Sequence, residues 1–68
     1  MKYLVVLEKG GNSWGAYSPD VPGCAVVGKT QREALEMYQE ALKMHLRGLE
    51  EDGLPLPKPL SRMETVEI

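Results

Sequence analysis

Ala34, Leu35, Tyr38, Ala41, Leu42, His45, Leu46 and Leu49 recur at three- and four-residue spacing, which places them on one face of an α-helix. A helix with one apolar face has to lay that face on another layer of structure. In a chain of 68 residues the segment before the helix can supply little more than a small sheet. The helix start is marked by Thr30-Gln31-Arg32-Glu33, a capping box in which Thr and Glu satisfy backbone donors at the first turn. The spacing predicts a helix running to about Asp52, with Gly53 as the residue after the cap and Pro55 beyond it. Gly48 lies inside the helix at a cost of roughly 1 kcal/mol relative to Ala. It reads either as a close approach to another element or as fraying.

The residues before the helix alternate between strand formers and turn formers. Tyr3 to Leu7 is a continuous apolar run, as expected of a strand buried on both faces. Lys9-Gly10-Gly11-Asn12-Ser13 is a turn cluster. Trp14 to Ser18 alternates, with Trp14, Ala16 and Ser18 on one face and Gly15 and Tyr17 on the other, so a hairpin with the first strand is expected. Pro19-Asp20-Val21-Pro22-Gly23 cannot sit inside a central ladder and reads as an ordered loop. Cys24 to Val27 is a short third strand ended by Gly28. After the helix, Leu54 to Pro59 is an extended, polyproline-like connector. From Arg62 to Ile68, Val66 and Ile68 share one face and Thr65 and Glu67 the other, which predicts a last strand. The expected fold is α+β, in the order βββαβ, with one helix on a mainly antiparallel sheet. Residues 1–68 form one domain with no internal repeat.

A core this small rarely supplies more than roughly 3–5 kcal/mol. One cysteine, Cys24, rules out an intrachain disulfide, and one Cys with one His (His45) argues against structural zinc. Self-association or a partner is the expected source of added stability. The net charge of −2 gives no support to direct nucleic-acid binding and suits a basic protein partner. The apolar runs are too short to span a membrane, and Met1 to Glu8 reads as a strand rather than a signal peptide. The cytoplasm is the expected location.

No catalytic group is expected. Cys24 reads as a small buried hydrophobe and His45 as a structural residue on the helix. Glu8 and Asp20 are the only acids in the first three strands and their loops, too few for two-metal phosphoryl chemistry. A residual metal-dependent nuclease is therefore the weakest of three readings, and no cofactor or metal is expected. Binding features are better represented. Trp14 and Tyr17 are either binding anchors or core fillers. Met37 and Met44, a heptad apart at the edge of the helical stripe, are either an adaptable interface or a widened core. An interface is the favoured reading in so short a chain.

The run Ala16-Tyr17-Ser18-Pro19-Asp20-Val21-Pro22-Gly23-Cys24 is followed by Gly28-Lys29-Thr30, Glu33-Ala34-Leu35, Glu40-Ala41 and Glu51-Asp52-Gly53-Leu54-Pro55-Leu56-Pro57. This series resembles the HicB antitoxin-like family over nearly the whole chain. The resemblance implies a partial RNase-H-like fold without the nuclease carboxylates. It implies a protein partner, a small basic HicA-type toxin that cleaves mRNA and is neutralised by masking. It also implies a dimer or tetramer. Carried over by position, Pro19, Asp20, Pro22 and Gly23 form the signature loop, in which Pro fixes φ and Gly permits the turn. Asp20 would cap a turn or meet a basic partner. Many members carry a DNA-binding domain after this unit. The present chain stops at Ile68, so no direct DNA binding is expected of it. Met37 stands where the family often has Asn, and Trp14 near where it has Tyr or Phe. The alternative reading is a stand-alone homo-oligomeric regulator with another partner.

Overall fold

The computed structural model describes all 68 residues. Its elements are β1 (Val6–Lys9), β2 (Trp14–Tyr17), β3 (Ala25–Gly28) and α1 (Gln31–Glu51). The three strands form an antiparallel meander in the order β1-β2-β3. Register places Leu7 opposite Ala16 and Ala16 opposite Val26, so these three share the face beneath the helix. Ala16, Val21, Cys24, Ala34 and Tyr38 are the buried apolar residues, and Leu7, Trp14, Val26 and Leu42 are among those that pack around them.

Helix boundaries follow local chemistry. The Thr30 hydroxyl accepts from the Glu33 N–H at 3.0 Å, while the Glu33 carboxylate accepts from the Lys29 N–H, one residue ahead of the usual capping-box donor. At the other end the Gly53 N–H reaches the Glu50 carbonyl and the Leu54 N–H reaches the Leu49 carbonyl, with Gly53 at φ +70°. This pair of bonds is a Schellman closure, which the left-handed glycine makes possible. Gly28 is required for a different reason. A Cβ there would lie 2.7 Å from the Ala34 nitrogen, because the first turn of α1 rests on the end of β3. Gly48 has open space around it, so it marks no close approach.

Two expectations are corrected. The run Tyr3 to Leu7 is only partly buried, because a single helix covers one face of the sheet and nothing covers the other. The expected last strand is not formed. Residues 62–68 are all exposed, and no backbone hydrogen bond follows Leu60 except that from the Ser61 N–H to Asp20. An extended segment becomes a strand only when a ladder receives it, and this path brings it to none.

The protomer is loosely closed. Only 7 of 68 residues are buried. Its accessible surface is 5582 Å², against about 4,300 Å² for a compact chain of this mass. Its radius of gyration is 13.1 Å, against about 11 Å for a compact domain of this length.

Candidate partner-binding surface

The apolar stripe of α1 is wider than the sheet beneath it, and the excess falls on two flanks. Ala34 and Tyr38, both fully buried, form the centre line. On one side Leu35, Leu42 and Leu46 face Tyr3 and Val5 across a groove of about 570 Å³ beside the β1 edge. On the other side Met37, Ala41 and Met44 line a shallow apolar trough with Val26, bordered by Glu36 and Glu40. Met44 is 71% exposed and Met37 42%. The bordering acids are engaged only by exposed neighbours, Glu36 with Arg32 at 3.4 Å and Glu40 with Lys43 at 3.6 Å. Such surface pairs break readily for a competing partner.

The other candidate residues do not join this trough. Trp14 is half-buried and packs against the core. Tyr17 stands on the outer face of the sheet, where its register neighbours are Val6 and Ala25. Asp20 is bound internally, with its carboxylate accepting from the Ser61 N–H at 2.9 Å and the Ser61 hydroxyl at 2.8 Å. It therefore ties the loop to the C-terminal segment, a partner 41 residues away that local spacing could not reveal. The signature loop begins with a turn closed by the Val21 N–H on the Ser18 carbonyl, and Gly23 takes φ +82°. Val21 and Cys24 are buried behind it, so Pro19, Pro22 and Gly23 shape the cover of the core.

Beneath that loop lies a polar defect. The hydroxyls of Tyr38 and Ser18 are buried, and neither completes a hydrogen bond. Burial, and after it the neighbouring Cys24 thiol, push the Tyr38 phenol from 10.0 up to about 12, with Ser18 opposing. His45 is half-buried on α1. No three His, Cys, Asp or Glu side chains converge closely enough to hold a metal ion. No helix is long and apolar enough to cross a membrane.

A family model described as "HicB_like antitoxin of bacterial toxin-antitoxin system" matches residues 3–67. The chain belongs to this HicB-like antitoxin family. It is 34% identical over 64 residues to "Antitoxin HicB 2" of Photorhabdus laumondii, covering 94% of this chain and 46% of that protein. It is 39% identical over 64 residues to a "UPF0150 protein" of Helicobacter pylori, covering 93% of this chain and 89% of that one. It is 40% identical over 58 residues to an uncharacterised 14.9 kDa protein of Haemophilus phage HP1, covering 85% of this chain. The chain spans less than half the length of the phage and Photorhabdus proteins, 44% and 46%, so it corresponds to one portion of those. No solved structure matches it significantly. The family is described as antitoxins of bacterial toxin–antitoxin systems.

Proposed function

We propose that this HicB-like chain neutralises a HicA-type, mRNA-cleaving toxin by covering it, and that it does so in the cytoplasm as part of a homo-oligomer. The observation that carries the reading is the family match over residues 3–67, joined by a relative named as an antitoxin. The shape of the protomer supports it. The Met37–Met44 trough is apolar in the middle and acidic at the rim, which suits a basic protein. Methionine side chains adapt to a partner's contour without a fixed rotamer. Tyr17 and Val27, on the uncovered face of the sheet, offer a second apolar contact surface. Trp14 acts in this reading by bracing the sheet, and Asp20 by fixing the loop.

The test is co-expression with the small basic protein encoded beside the gene, scored by growth and by co-purification. The chain should restore growth and bind the toxin. Met44→Asp, together with Met37→Asp, should weaken binding at least tenfold while leaving the circular dichroism of the free chain unchanged. Toxicity unrelieved by the unaltered chain would refute the proposal.

A further inference from the structure

The free edge of β1, the groove beside it and the unpaired segment 62–68 have complementary chemistry. The groove between Tyr3 and Val5, which lead into β1, on one wall and Leu35, Leu42 and Leu46 on the other is mainly apolar, with Leu56 of the connector also lining it, and β1 itself is an unpaired edge of the sheet. Segment 62–68 is rich in β-branched residues, alternates in polarity toward its end, and exposes Met63, Val66 and Ile68 by at least 75%. An unpaired edge and an unpaired strand former are each other's natural partners.

The path of the chain directs this pairing outward. The Pro57 carbonyl accepts from the Tyr3 hydroxyl at 2.6 Å, at the start of the β1 side. Four residues on, Ser61 is held by Asp20 in the β2–β3 loop. The chain has thus crossed the end of its own sheet and left the β1 edge behind. Segment 62–68 contains no Gly, Pro, Asn or Asp with which to turn back. The groove carries one charge of each sign, Lys43 and Glu50, and the segment carries Arg62, Glu64 and Glu67, so apolar contact rather than net charge drives the pairing.

We propose that residues 62–68 of one copy add as a strand to the β1 edge of a second copy, with Val66 and Ile68 seated in its groove, and that the exchange is reciprocal. A two-fold exchange uses each groove and each segment once and closes without leaving an open end. The excess surface of each protomer, about 1,300 Å² over a compact chain, exceeds the roughly 800 Å² per partner that a standard interface buries. The exchanged strand completes the βββαβ order between two chains. This inference does not depend on the identity of any toxin.

Two measurements on the full chain test it. Light scattering should give twice the 7.6 kDa of one chain. In a mixture of two differently isotope-labelled preparations, filtered nuclear Overhauser spectra should show contacts from the Val66 and Ile68 methyls to those of Leu42 and Leu46 between copies. Val66→Pro, which removes a ladder donor in a segment with no core contacts, should raise the dimer dissociation constant at least a hundredfold. A monomer at millimolar concentration would overturn the proposal. So would tail-to-groove contacts confined to one chain, or a dimer indifferent to Val66→Pro.

Discussion

Tyr38 shows how one side chain can be both the centre of the core and its weak point. Its ring fills the space between α1 and the sheet, yet its hydroxyl is buried without a completed hydrogen bond. Leaving such a group unsatisfied costs about 1–3 kcal/mol. Tyr38→Phe should therefore leave stability near neutral pH unchanged or raise it by about 1 kcal/mol, as read by urea denaturation. The pH dependence has a definite sign. The folded phenol is raised to about 12 from an ordinary 10.0, so the unfolded chain loses its proton first. Stability is intact below pH 10 and falls as pH rises toward 12, by about 1.4 kcal/mol per unit. The Phe variant should lack that alkaline loss, and denaturation at pH 9 and 11 would check it. Gly28 is a second residue-scale constraint. Gly28→Ala would force a methyl to within 3 Å of backbone atoms of Ala34. It should destabilise the fold by about 1–3 kcal/mol, measured by the same method.

The elements are set mainly by local chemistry, and their attachments by single contacts. The Asp20 carboxylate holds the C-terminal segment through two hydrogen bonds to Ser61. Asp20→Ala should free the segment from the loop, at a cost of roughly 1–3 kcal/mol if both bonds are lost. Hydrogen exchange at the Ser61 amide should speed up markedly in that variant, while amides in the middle of α1 keep their protection. The flanks of α1 show why a helical stripe cannot be read as core alone. A stripe that spans Met44, Tyr38 and Leu46 is wider than three short strands can cover, so only its centre line is buried.

At the scale of the molecule, the surface is too large for the mass, and the radius of gyration is too large for the length. A protomer so poorly closed should gain stability from association. Its thermal midpoint should therefore rise with chain concentration, a hundredfold increase adding roughly 2–3 kcal/mol per dimer when the dimer unfolds to separate chains. Calorimetry across that range checks the expectation. A monomer that unfolds in one step would show no such dependence.

The sequence by itself determined the kind and order of the three strands and the helix, though not the absence of a strand after it. Turn-forming Gly, Asn and Pro, the Thr30–Glu33 cap and the 3.6-residue recurrence act within a few residues, so their spacing carries the information. The family, too, was readable in the ordered motifs from Ala16 to Pro57. Tertiary structure alone decided which parts of the apolar stripe stay open, why Gly28 cannot be larger, what Asp20 holds, and that segment 62–68 finds no ladder in its own protomer. Each of these depends on where residues distant in sequence meet, and no local spacing encodes that distance.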